Sequence, residues 1–293
     1  MTLATFTHIL FWKEPLSTLC FFSLGMSFVS LWVKKTPWLW GSFLFISYIL
    51  AFQTNTVNWL SAIPLFTLLI CHYSIHCDIH KGARFLLVGI ATAVSYALIF
   101  HLLPGFHNWK IASEETISAS FAPVSLWLSY DKPWIGIFIL GLSLPLISSR
   151  VQLIRMLKLA IPLSLIGILL LMLLSLYLGA LQWDPKIPIF IFVWLLNNLI
   201  LVVIPEEAFF RGFLQREVNM WFGGTAFSGC CSVVASSLFF TLAHLGWVAD
   251  LPLLATTITA GIIYGTIYHT TKSIEASILC HFGVNLTRLL FFT

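Results

Sequence analysis

Three short motifs in the last third of the chain hold side chains that could activate water. The first, residues 205–211, reads Pro-Glu-Glu-Ala-Phe-Phe-Arg. Glu207 and Arg211 stand four residues apart, so on a helix they can pair along one face. Glu206 is turned about 100° away on the same helix. A carboxylate in apolar surroundings has its pKa raised by desolvation, which suits a general base. The alternative interpretation is a helix end that reaches water, with both glutamates solvated.

The second and third motifs supply polar groups on other segments. Residues 240–244 read Phe-Thr-Leu-Ala-His, and residues 281–285 read His-Phe-Gly-Val-Asn. His281 and Asn285 are four residues apart and share one helix face. Taken singly, such a histidine is more typical of a packed, hydrogen-bonded residue. Taken together, the three motifs offer a base, a partner that holds water and donors for an oxyanion, which are the parts needed to attack a carbonyl with water.

The composition indicates that these motifs are carried by membrane helices. The chain has 293 residues, of which 59% are hydrophobic and 9% are charged, and its mean hydropathy is +0.96. A soluble domain carries roughly 25% charged residues. The composition therefore excludes a water-soluble globule. The net charge of +4 includes no basic run, so we expect no nucleic-acid partner.

Apolar segments of about 20 residues are long enough to span a bilayer. The sequence predicts ten candidates, at residues 15–33, 37–53, 56–75, 85–103, 134–149, 159–183, 187–217, 227–249, 252–269 and 274–292. The predicted fold class is an all-α, polytopic membrane helical bundle with about eight to ten transmembrane helices.

A polar segment divides the chain, and the distribution of charge suggests an orientation. We predict N-terminal transmembrane helices at 1–106, a polar connector with an interfacial helix at 107–133, and a membrane-embedded core at 134–293. Ten of the 15 lysines and arginines fall in odd-numbered loops. The positive-inside rule then predicts cytoplasmic odd loops and both termini outside, in the inner membrane if the host is bacterial.

The order of the three motifs resembles the CPBP family, which comprises CAAX prenyl endopeptidases and bacteriocin-processing or Abi-type membrane proteins. The shared pattern is Glu-Glu-x-x-x-Arg, then Phe-x-x-x-His, then His-x-x-x-Asn, each on a separate helix. The resemblance covers residues 187–292, and every motif position is matched. It implies a glutamic intramembrane protease. Residues 15–103 lie outside the resemblance.

The resemblance also implies a role for each of the motif residues. Glu206 would activate water, and His244 would hold that water with it. His281 and Asn285 would form the oxyanion site. Three supporting residues follow from the same motifs: Glu207, Arg211 and Phe240. The implied enzyme needs no cofactor and no metal, and its partners would be the lipid bilayer and a membrane-anchored protein or peptide substrate.

Bringing the motifs together requires a particular helix geometry. Glu206 reaches the depth of the histidines if the seventh helix runs past Arg211, so we predict that it does and that Glu206 lies inside the bilayer. We expect water to reach this site from the cytoplasmic side. Arg288 lies seven residues beyond His281 on roughly the same face. We expect it to snorkel to the outer surface, with contact to a negative charge on the substrate as the alternative.

Two other classes of function remain open from the sequence. One is a zinc-dependent membrane protease using the two histidines and two glutamates, although their spacing does not match His-Glu-x-x-His. A second metal candidate is a helical stripe of His72, His76 and His80, for which a polar helix end is the favoured interpretation. The other class is a non-enzymatic or transport-type polytopic protein, because intramembrane ionisable groups also suit proton-coupled transport.

Overall fold

The computed structural model describes residues 14–33, 36–115, 124–188, 190–246 and 250–293. Within them the chain forms ten helices, numbered α1 to α10, with these bounds: Pro15–Val33, Pro37–Gln53, Trp59–Ser74, Lys81–Ile99, Lys132–Leu142, Arg150–Tyr177, Ile191–Trp221, Ala226–His244, Leu251–Thr271 and Ile274–Phe291. Seven are long and apolar enough to cross a membrane, and α2, α3 and α5 are shorter. The chain is an all-α, multi-pass integral membrane protein, which confirms the predicted fold class.

Each apolar segment corresponds to one helix, but several helix ends differ from the prediction. The helix α6 begins at Arg150 rather than at residue 159, because Ser149 caps it by accepting a hydrogen bond from the backbone N–H of Gln152. A helix can extend beyond its apolar part when its first turn is capped in this way. The helix α5 stops at Leu142 instead of residue 149, shortly before Pro145, whose ring disfavours a helical residue before it.

The predicted interfacial helix in the connector is wrong for the part of the connector that the structure describes. Two antiparallel strands lie there instead, β1 at Trp109–Glu115 and β2 at Val124–Leu128. Along β2 the side chains alternate, with Leu126 and Leu128 buried and Trp127 exposed. This period of two is typical of a strand with one covered face. Residues 116–123 fall outside the described residues.

The predicted histidine stripe is also wrong. The helix α3 ends at Ser74, so the three histidines do not share a helix face. His72 is buried within α3, and Nε2 of His76 lies 2.8 Å from the Ser143 hydroxyl. His80 caps α4, because its Nδ1 accepts a hydrogen bond from the backbone N–H of Gly82.

The described residues pack into two compact units. The first contains residues 14–33, 36–115, 124–145 and 190–205, and the second contains residues 146–188, 206–246 and 250–293. The three-part division drawn from composition stays a prediction. All residues of the predicted catalytic motifs from Glu206 onward fall in the second unit.

In the first unit, α5 is buried along almost its whole length, from Pro133 to Leu140. A close crossing between α5 and α7 fixes the segment just before the two glutamates. A Cβ atom added at Gly136 would lie 2.9 Å from the Cα of Pro205, closer than side-chain carbons approach other atoms. Only glycine fits at this crossing without a shift of one helix.

In the second unit, α9 packs closely against α8 and the second half of α7. Gly261 and Gly265 stand four residues apart on one face of α9 and permit this close packing. A Cβ at Gly261 would lie 3.0 Å from the Cβ of Ser237. The backbone carbonyl of Gly265 also serves as an acceptor, since Gln215 Nε2 donates to it at 2.9 Å. Small residues are typical of such contacts between membrane helices.

Candidate active site

The two glutamates lie on α7, which runs to Trp221 and so confirms that the helix continues past Arg211. This helix is not regular. π-Helical stretches at Asn197–Val203 and Ala208–Gln215 flank four α-helical residues, Ile204–Glu207. Pro205 lacks a backbone N–H, and its ring would crowd the carbonyl four residues earlier in a regular α-helix. The wider π-helical turns accommodate this proline, and they re-aim the side chains that follow it.

Glu207 is the centre of a fully buried polar cluster. Its carboxylate accepts a hydrogen bond from Nδ1 of His281 at 2.8 Å and another from the hydroxyl of Ser277. Nε of Arg211 lies 3.4 Å from the same carboxylate, and neither charged side chain is exposed. Both carboxylate oxygens are thus occupied. The predicted pair with Arg211 is present, and Glu207 also fixes the orientation of a histidine on another helix.

Arg211 is held by aromatic rings as well as by Glu207. Its guanidinium carbon lies 5.0 Å from the ring centroid of Phe240 and 5.6 Å from that of Tyr264. One guanidinium nitrogen donates to the Gly261 carbonyl at 3.2 Å. A buried charge requires such compensation, because its desolvation costs several kcal/mol.

Phe240 joins the second motif to the third. Its ring centroid lies 4.3 Å from that of His244 and 5.8 Å from that of His281. Tyr264 stacks on the other side of the site, with its ring 4.5 Å from the His281 ring and 16° from parallel. Phe240 therefore contacts the imidazole rings of both histidines. The stacked ring of Tyr264 restrains the orientation of the His281 ring.

Hydrogen bonds define which imidazole nitrogens are available. Nδ1 of His244 lies 2.8 Å from the Phe240 carbonyl. A carbonyl only accepts, so Nδ1 carries the proton, and Nε2 of the neutral ring has a free lone pair. The carboxylate of Glu207 likewise requires a proton on Nδ1 of His281. Nε2 of His281 can donate only when both ring nitrogens are protonated.

A cavity of about 130 Å³ lies against these side chains. Three of the four predicted catalytic residues line it, namely His244, His281 and Asn285, together with Phe240 and Tyr264. A water molecule needs roughly 10–15 Å³ of such volume, so the cavity can hold several waters. The site is thus able to contain both a nucleophilic water and the reacting group of a peptide.

Glu206 is not among the residues that line the cavity. Its side chain is buried, with 6% of the residue exposed. Glu206 precedes Glu207 on α7, and it is Glu207 that holds His281 directly. Within the described residues, no group of three or more His, Cys, Asp or Glu side chains has an arrangement that could hold a metal ion.

The cavity extends to one end of the second unit. Its lining includes Leu181 beyond α6, His244 at the end of α8, Leu253 near the start of α9 and Arg288 in the last turn of α10. The last residue of the chain, Thr293, lies at this end too. The two expectations drawn from sequence, an external C-terminus and water from the cytoplasm, therefore exclude each other.

Two residues of the site, Ser277 and Tyr264, were not recognised from the sequence as site residues. Ser277 lies four residues before His281, so helical spacing could have placed it on the same face. Tyr264 carries no such signal, because its contact with His281 joins two helices. For Arg288 the sequence favoured snorkelling, with contact to the substrate as the alternative, and the structure shows that it lines the cavity.

Comparison with protein families gives a match over this region. Residues 188–287 match the model of a family described as type II CAAX prenyl endopeptidase Rce1-like. The match supports the resemblance to the CAAX proteases that the three motifs indicate. Neither a comparison with curated proteins nor one with solved structures found a match. The matched region contains all three motifs, and the match supports a protease of the CAAX type.

Proposed function

We propose that this protein is a glutamic intramembrane endopeptidase that cleaves a membrane-associated protein or peptide with water activated by Glu206. The observation that carries the proposal is the single cavity lined by His244, His281 and Asn285. These residues come from two helices far apart in sequence, and each offers a group that acts on water or on a carbonyl. The family match over the same region supports a peptide as the substrate.

In the first step, two acceptors hold the attacking water. The Glu206 carboxylate and Nε2 of His244 each accept one water hydrogen, which leaves an oxygen lone pair directed at the substrate carbonyl. Glu206 then takes a proton as the oxygen bonds to the carbonyl carbon. A carboxylate suits this role because it can accept a proton from a water that it already holds.

The attack converts the carbonyl oxygen into an oxyanion. Nε2 of the doubly protonated His281 and the side-chain amide of Asn285 donate hydrogen bonds to it. Donors that are already oriented lose no reorganisation energy in the transition state, and each is worth on the order of 10²–10³ in rate. Glu207 holds the ring of His281 in place through the hydrogen bond to Nδ1.

Collapse of the tetrahedral intermediate completes the reaction. Glu206 returns its proton to the amide nitrogen as the carbon–nitrogen bond breaks, and this yields a new carboxyl terminus and a new amino terminus. No covalent intermediate with the enzyme is required. Glu207 cannot replace Glu206 as the base, because His281, Ser277 and Arg211 already occupy its oxygens.

The test is a comparison of protein termini in membranes by mass spectrometry. Cells producing the wild-type protein are compared with cells producing Glu206→Gln at equal abundance. Glu217→Gln is the matched control, because it makes the same change at another buried glutamate of α7. Termini that are present with the wild type and Glu217→Gln but absent with Glu206→Gln support the proposal and identify the substrate. Identical termini in all three cell lines would contradict it.

A further inference from the structure

Arg288 differs from the other arginine near the cavity. Arg211 is fully buried and paired with Glu207, whereas Arg288 is exposed and lines the cavity. Within the described residues, its side chain forms no hydrogen bond or ion pair. Arg288 therefore presents an uncompensated positive charge to whatever occupies the cavity.

Arg288 lies in the last turn of α10, where its side chain lines the cavity. Ionisable residues of membrane helices usually face a partner or a water-filled cavity, and they often mark the path of a substrate. The helix α10 is otherwise apolar from Leu286 to Phe291 apart from Thr287 and Arg288. The planar guanidinium has two parallel N–H groups that match a carboxylate, so a carboxylate is the best complement for this position.

The spacing along α10 relates Arg288 to the reacting groups. It lies seven residues beyond His281, which is an axial distance of about 10 Å on nearly the same helix face. It is three residues beyond Asn285, or about 4.5 Å. An extended peptide advances about 3.3 Å per residue, so roughly three residues span the distance from His281 to Arg288.

We propose that Arg288 binds a carboxylate of the peptide substrate and so determines which peptide bond reaches His281 and Asn285. This inference rests on the proposed function. The carboxylate is either the free C-terminus or an acidic side chain, about three residues from the bond that is cleaved. Arg288 is thus a specificity-determining residue that takes no part in proton transfer.

The first arm of the test measures cleavage by the full-length purified protein. The probes are internally quenched octapeptide libraries without acidic residues, made with a free C-terminus, with an amidated C-terminus, or amidated with one aspartate near the C-terminus. We expect wild-type kcat/KM to be at least about tenfold higher for one carboxylate-bearing library than for the plain amide. Arg288→Gln should cleave both at the amide rate, and Arg288→Lys should keep part of the preference.

Arg150→Gln is the matched control, since it removes a cation at the start of α6, away from the cavity. It should retain the wild-type preference for the carboxylate. The preferred library identifies the source of the carboxylate as the C-terminus or a side chain. Equal rates with all three libraries, or a preference that survives in Arg288→Gln, would overturn the inference.

The second arm measures binding without turnover and separates this inference from the proposed function. In the Glu206→Gln background, a carboxylate-bearing library should raise the thermal unfolding temperature more than the amide does, and Arg288→Gln should abolish the difference. If no library is cleaved by the wild type, the proposed function fails and this arm alone decides the inference. Stabilisation by nanodiscs containing phosphatidylglycerol, without any effect of peptide carboxylates, would assign Arg288 to a lipid headgroup instead.

Discussion

Replacing Glu207 by glutamine removes the negative charge that faces Arg211 inside the protein. Both side chains are completely buried and their charged atoms lie 3.4 Å apart. Breaking a buried pair by removing one partner costs about 3–5 kcal/mol, because the other charge stays desolvated without compensation. The aromatic rings around Arg211 recover only part of this, since a cation–π contact is worth about 0.5–2 kcal/mol. We therefore expect Glu207→Gln to be strongly destabilised.

A second change separates stability from catalysis. In the double variant Glu207→Gln/Arg211→Met both charges are gone, and replacing a buried pair by neutral groups is often close to neutral. We expect its stability to return to within about 2 kcal/mol of the wild type. Peptidase activity should stay about 10²-fold low, because His281 still lacks the carboxylate that orients it.

The measurements are equilibrium unfolding in mixed micelles and cleavage of the substrate found by terminus analysis. If the double variant regains stability but not activity, the result supports both the buried ion pair and the orientation of His281 by Glu207. Two results would refute the reasoning. One is a Glu207→Gln variant as stable as the wild type. The other is a double variant with full activity, which would show that His281 does not depend on Glu207.

Three further changes test other parts of the structure. Gly136→Ala should destabilise the protein by about 1–3 kcal/mol, because the new Cβ collides with Pro205. Gly41→Ala is the control and should not destabilise it, because a Cβ there meets open space. Thermal unfolding of the two variants checks this prediction. Ser277→Ala removes one hydrogen bond to the buried carboxylate and should lower unfolding free energy by about 1–3 kcal/mol, measured in the same micelles. Thr256→Cys, in the cavity lining, should react with an impermeant thiol reagent from the side on which a C-terminal tag is accessible; reaction from the opposite side would contradict the position of the opening.

The sequence was sufficient to predict which segments are helices, because a bilayer requires long apolar runs. It was not sufficient to predict the residues at which these helices begin and end. The three basic residues that follow Ser149 are typical of a loop between membrane helices. They belong to α6 instead, because a capped helix can extend beyond the bilayer into water. The connector shows the same limit, since its strands depend on pairing between residues 109–115 and 124–128, which no local pattern of either segment alone reveals.

The candidate site was predicted as far as spacing within one helix permits. The pair of Glu207 with Arg211 and the shared face of His281 and Asn285 both follow from a four-residue interval. The hydrogen bond between Glu207 and His281 joins residues 74 positions apart, and the sequence contains no signal for it. From the sequence, Glu207 was expected to interact only within its own helix. The π-helical turns on either side of Ile204–Glu207 change the directions of the side chains, so regular helical spacing does not predict which residues they reach.

The most direct test of the account is single-turnover cleavage by purified protein reconstituted in lipid vesicles. The substrate is a peptide identified from the terminus comparison, and the variants are Glu206→Gln and Glu217→Gln. The account predicts that Glu206→Gln binds the peptide as tightly as the wild type but cleaves it at least about 10²-fold more slowly, with Glu217→Gln unaffected. Cleavage by Glu206→Gln at the wild-type rate would contradict the central claim that Glu206 activates the attacking water.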